Sequence, residues 1–147
     1  MHQKRGNCFM SKPEKINKIV KQWLEYAEED LRLAKHALKL SSSCPYKLIA
    51  FHAQQCAEKY LKAFLAFKKV DFPYTHNISL LLELCVPHAD WTDDLQEAKT
   101  LTPYAVTARY PGRDKVTKID ALDAITIASK VRKVVRKALK QEGIKIT

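Results

Sequence analysis

Glycine is scarce in this chain of 147 residues, occurring three times, as Gly6, Gly112 and Gly143. None lies between Asn7 and Pro111, so that span holds neither a Gly-rich phosphate loop nor a dinucleotide fingerprint, both of which need glycine for close backbone approach. P-loop NTPases and Rossmann dehydrogenases are excluded. Long apolar runs are missing as well. The longest, Ile78 to Val86, is broken by Glu83 and falls short of the roughly 18 residues of a membrane span. The N-terminus has charge but lacks the apolar core of a signal peptide, so no membrane association is expected. Cys8, Cys44, Cys56 and Cys85 form no C-x-x-C pair and read as reduced thiols of a cytoplasmic protein. No histidine follows His88, and no stretch sustains the alternation of a strand.

What is present is ordinary globular material. Apolar residues make up 46% and charged residues 29%, which argues against disorder and for one domain with a proper core. The formal charge is +10, distributed as +4 over residues 1–40, +1 over 41–90, 0 over 91–115 and +5 over 116–147. A basic excess at both ends suits a nucleotide, a nucleic acid or an acidic protein partner, although solubility alone also explains it.

Proline writes the organisation. Pro13, Pro45, Pro73, Pro87, Pro103 and Pro111 mark ends, because proline is tolerated in a helix's first turn and disruptive inside. Residues 1–10 fit no helical pattern and read as a flexible tail or a misassigned start, with Met10-Ser11-Lys12-Pro13-Glu14 resembling a second start. Residues 11–147 form the helical domain. Ser11 with Glu14, and Thr117 with Asp120, make capping-box patterns, and Thr75 and Thr92 are candidate caps for a third and fourth helix. The first helix, about 13 to 39, carries Ile16, Ile19, Val20, Trp23, Tyr26, Ala27, Leu31, Ala34, Ala37 and Leu38 on one stripe. The second, about 46 to 69, is apolar over more of its circumference, as in a helix that runs through the middle of a bundle. The last, about 118 to 141, opposes an alanine and valine side to a side of Lys130, Arg132, Lys133, Arg136, Lys137 and Lys140. The fold class is all-α, an up-and-down antiparallel bundle of four to five helices.

Asp30 falls inside the first helix's apolar stripe. An unpaired carboxylate there is costly, so it either pairs with a Lys or Tyr of a neighbouring helix or lines a polar cleft. Gln55, Glu58, Lys59 and Lys62 share one side of the second helix, which alone reads as a solvated face. His76, at the start of the third helix, could donate to a phosphate held by the helix's free N–H groups, or simply cap and pack. Arg109, followed by Tyr110, Pro111 and the charged Arg113, Asp114 and Lys115, could fork onto a phosphate or pair with Asp30. His52 with Cys56, and Cys85 with His88, are spaced as zinc ligands are, but Cys56 lies on the core line, and no metal site is expected.

Together these residues resemble the HEPN domains, the higher-eukaryote and prokaryote nucleotide-binding helical bundles. The likeness rests on Trp23, Ala27, Asp30, Leu31 and Ala34, on the run Ala53 to Ala63, on Thr75-His76-Asn77, and on Ala108-Arg109-Tyr110-Pro111. It covers about residues 14 to 140. The resemblance implies a bundle, commonly dimeric, that often serves as the substrate-binding or toxin–antitoxin partner of a minimal nucleotidyltransferase. Other HEPN branches are metal-independent ribonucleases with an R-x(4–6)-H motif late in the chain. This sequence departs from that pattern: Arg109, Arg132 and Arg136 have no later histidine, and Arg32 and His36 are one residue too close. The expectation is therefore a non-catalytic module without cofactor, with Asp30, Lys59, Lys62, His76, Arg109 and Tyr110 converging on a nucleotide phosphate and Asp30 orienting Arg109 or Lys59. The alternatives are a ribonuclease with an irregular site and a bundle binding RNA on its last helix. A homodimer is expected through the alanine stripes of the first and last helices.

Overall fold

The computed structural model describes residues 11–111 and 115–146; the expected tail, residues 1–10, and Arg113 and Asp114 lie outside them. The helices are α1 (Lys12–Ala37), α2 (Tyr46–Phe67), α3 (Ile78–Cys85), α4 (Tyr104–Thr107) and α5 (Lys118–Gln141). Tighter 3-10 turns at Val86–His88 and Thr92–Leu101 join α3 to α4. No strand occurs among the described residues.

The caps follow from local chemistry. Ser11 Oγ accepts from the Glu14 amide at 3.2 Å. Thr117 and Asp120 bond reciprocally at 2.9 and 3.1 Å, a complete capping box. Two expected caps differ. The α3 cap is Asn77, whose Oδ1 takes the Leu80 amide at 3.3 Å, while Thr75 accepts from the Asn77 amide. Thr92 is buried and opens the 3-10 segment, which kinks at Leu95. At the far end of α5, Gly143 adopts φ +96°, which lets the Ile144 and Gly143 amides reach back to the Leu139 and Lys140 carbonyls. The same bonds close α2, but there the left-handed residue is Lys69, φ 59°.

The middle of the bundle belongs to α2, which packs on α1, α3, α4 and α5. Tyr60, Phe64, Leu61 and Leu65 are fully buried, each contributing about 1.5–3 kcal/mol by removal from water. Against them lie Val20, Leu24, Ala27, Leu31 and Ala34 of α1 and Ala121, Ala124, Ala128, Val131 and Val135 of α5. The alanines expected at a dimer interface are thus spent inside the monomer, where they let α1 and α5 approach α2 closely. Ile19, Tyr26 and Leu33, about half exposed, face outward from α1 instead.

Candidate functional site

One face of α2 was expected to be solvated. The structure buries it: Gln54, Gln55, Glu58 and Lys62 are each at most 8% exposed. The reason is that α1 and the segment before α3 both close over this face, and the side chains brought inside bond to one another. Glu58 is the hub. Its Oε1 accepts from Gln54 at 3.0 Å and His76 Nδ1 at 2.8 Å, and its Oε2 accepts from Lys62 at 2.8 Å. Gln54 also reaches the His76 carbonyl at 3.3 Å and is itself bonded by Gln55. Lys62 Nζ, drawn in by this carboxylate, lies among aromatic rings: Trp23 at 5.5 Å, Phe72 at 5.6 Å and Tyr74 at 6.0 Å. The electron-rich ring faces compensate part of the ammonium's lost hydration.

Asp30, projecting from α1, answers the question its position raised. It is held by two residues on one side of α2, two turns apart, His52 Nδ1 at 2.8 Å and Lys59 Nζ at 2.6 Å, so its buried charge is neutralised. Lys59 also lies 5.9 Å from the Tyr26 ring. Arg109 is not its partner. That guanidinium sits 5.8 Å from the Phe51 ring and 3.5 Å from His76 Nε2. The His76 tautomer follows from its two contacts: Nδ1–H donates to Glu58, leaving the Nε2 lone pair toward Arg109.

Of the expected site residues, the structure joins Asp30 with Lys59, and Lys62, His76 and Arg109 around Glu58. Tyr110 is exposed, and among the described residues no hydrogen bond or ring contact ties it to the others. Sequence reasoning passed over His52 as more than a zinc candidate, and gave Glu58 no partner. The zinc spacing dissolves in three dimensions. His52 turns to Asp30, Cys56 and Cys85 are buried, and His88 is exposed. No group of three His, Cys, Asp or Glu is placed for a metal among the described residues. Burial pushes the thiol of Cys56 well up and that of Cys85 to about 12.

A second polar cluster lies across α1. Glu28 accepts two bonds from Arg132 Nε and one from Nη2 at 2.8–3.0 Å, plus the buried Tyr60 hydroxyl at 2.7 Å. Burial opposes the charge of Glu28, but the bonds from Arg132 and Tyr60 prevail and hold its carboxyl below the usual range. An open groove of about 600 Å³ runs beside it and mixes Lys21, Arg32, Arg136 and Lys145 with Glu25, Glu28 and Glu29. With both signs interleaved it offers an anion little net attraction, unlike the mouth at His76 and Arg109.

The HEPN domain family model matches residues 20–138, the span that carries both carboxylate clusters. The chain belongs to the HEPN family. This HEPN chain is 29% identical to a Methanocaldococcus jannaschii protein named "Putative toxin MJ1304", over 87% of this chain and 93% of that one. It is also similar to the crystal structure of ST0689, an archaeal HEPN homologue, with a TM-score of 0.64 at 29% identity, covering 81% of this chain and 96% of that one. The crystal structure of TT1696 from Thermus thermophilus aligns with a TM-score of 0.65 at 29% identity, covering 80% and 96%. The two solved structures share the all-α bundle. No helix among the described residues is long and apolar enough to cross a membrane.

Proposed function

We propose that this HEPN chain is a nucleotide-binding module that takes a phosphate at the mouth formed by His76 and Arg109. The observation that carries the reading is the pairing of an exposed guanidinium with an imidazole whose orientation is fixed by a buried carboxylate. Among the described residues no carboxylate lies within ion-pair distance of Arg109, so its donors are open to a phosphate's oxygens. Lys59 and Lys62 are neutralised by Asp30 and Glu58; their role is to hold the face of α2 on which Phe51, His76 and Arg109 rest. Binding needs no cofactor in this reading. The relative's name, a toxin, supports a toxin–antitoxin setting; in this reading the second protein is a minimal nucleotidyltransferase.

Calorimetric titration with a mononucleotide tests the site. Arg109→Ala should weaken binding by about 1.5–3 kcal/mol, the scale of a hydrogen bond to a charged group, with the fold unchanged by circular dichroism. Unaltered affinity in that variant would falsify the assignment.

The same geometry favours a second reading, cleavage of RNA. His76 Nε2 is available as a base and Arg109 as a phosphate clamp, the two parts that in-line attack by a ribose 2′-hydroxyl requires. The pair comes from two separate elements rather than one late motif. A labelled oligoribonucleotide cut by repurified wild type, and left intact by both His76→Ala and Arg109→Ala, would establish the enzyme in place of the passive module.

A further inference from the structure

Four lysines of α5, Lys130, Lys133, Lys137 and Lys140, are exposed and recur every three or four residues. They make a line about 15 Å long at 1.5 Å per residue. None of the four is in an ion pair among the described residues. Beside the line, Arg132 is fixed by Glu28, and Arg136 Nη1 stands 3.7 Å from the same carboxylate. A shallow groove of about 340 Å³ is lined by Arg132, Lys133, Arg136, Lys137, Lys140 and Gln141. Its lining contains neither a carboxylate nor an aromatic ring.

We propose that this groove binds the phosphodiester backbone of a single nucleic-acid strand without reading its bases. The charge is of one sign and regularly spaced, which suits a polymer bearing a charge at every unit. A protein partner would meet no aromatic ring there, only the aliphatic stems of charged side chains, whereas interface cores are depleted of charged residues and enriched in aromatic ones. Base stacking lacks its platform for the same reason. Glu28, itself bonded by the buried Tyr60 hydroxyl, holds Arg132 in place before a ligand arrives. Glu58, which orients His76, and Tyr60, which bonds Glu28, are two residues apart on α2, about 200° around its axis, so the groove and the His76–Arg109 mouth lie on different flanks. The inference stands whether or not the mouth binds a nucleotide.

Fluorescence anisotropy with labelled single-stranded RNA and DNA of one sequence reads it out, using the full chain at two salt concentrations. Four backbone contacts predict a loss of affinity of about 50-fold for a fourfold rise in salt. Lys133→Gln/Lys137→Gln should bind more weakly and lose only about 7-fold over the same rise. That variant should titrate a mononucleotide as wild type does, and Lys12→Gln/Lys15→Gln, which removes equal charge elsewhere, should keep strand binding. Equal affinity for RNA and DNA is expected. The proposal is overturned if the Lys133/Lys137 variant keeps the full salt dependence, or if the Lys12/Lys15 variant loses as much. It is also overturned if polyglutamate competes as well as RNA, if only RNA binds, or if Arg109→Ala alone abolishes strand binding.

Discussion

Replacing Glu58 by glutamine keeps the side chain's volume and removes one buried charge. Lys62 Nζ, 2.8 Å away on a side chain only 7% exposed, then has no counter-ion. Breaking a buried pair from one side costs about 3–5 kcal/mol. The rings of Trp23, Phe72 and Tyr74 remain within 6.0 Å of the ammonium and keep the charge from being wholly uncompensated, at about 0.5–1 kcal/mol for each contact. The expected loss is therefore at the lower end, about 3 kcal/mol, which lowers the melting temperature by about 6–12 °C. Urea unfolding should show a lower midpoint at an unchanged m value, since the surface exposed on unfolding is the same. Glu58→Gln/Lys62→Met removes both charges and should recover most of the loss. A single-variant cost below about 1 kcal/mol, or a double variant no better than the single, would refute the view of Glu58 as the buried hub.

Other outcomes follow from particular positions. Lys69→Gly should stabilise the protein by about 0.5–1 kcal/mol in urea melts, because a left-handed φ of 59° strains any side chain with a Cβ. Glu28 has its carboxyl pKa lowered in the fold from the ordinary 4.5, so its stabilisation is complete above that value and is lost as pH falls through the folded pKa; Glu28→Gln should flatten the acid limb of stability measured by urea unfolding. Cys56 and Cys85, whose thiols burial holds in the neutral form, should resist iodoacetamide in the native protein and react in urea, as read by mass spectrometry. We also expect a homodimer of twice 16.9 kDa in sedimentation, built on Ile19, Tyr26 and Leu33, which recur every seven residues and are about half exposed on the outer side of α1; Tyr26→Lys/Leu33→Lys should yield the monomer.

The helices were legible because their signals are local. Ser11, Thr117 and Asp120 cap where their spacing says they should, and the broad apolar girth of α2 announced its central place. The alanine stripes were legible as close-packing surfaces, but a single helix's pattern cannot say whether the neighbour is another helix of the same chain or of a second copy. The polar side of α2 was misread for a related reason. Periodicity places Gln55, Glu58 and Lys62 on one face, and nothing in that pattern shows that α1 and Phe72–His76 cover it. The link between α1 and α2 held a usable signal for His52. In an antiparallel hairpin, facing positions are equidistant from the turn, so His52 and Lys59 bracket the place opposite Asp30, where both are found. His76 and Arg109 meet only through the path of Thr92–Leu101 and α4, a non-local arrangement with no trace in their own neighbourhoods.

That meeting has a mechanical consequence. The His76–Glu58 and Arg109–His76 contacts fasten chain segments 18 and 33 residues apart, and closing such loops costs entropy that rises only slowly with their length. A phosphate gripped by both side chains would act as a removable clasp on the irregular stretch between α2 and α5. Amide exchange in residues 70–77 and 102–109 should then slow on ligand addition while the amides at the centre of α2 keep their rates, making this stretch the part of the molecule whose rigidity reports occupancy.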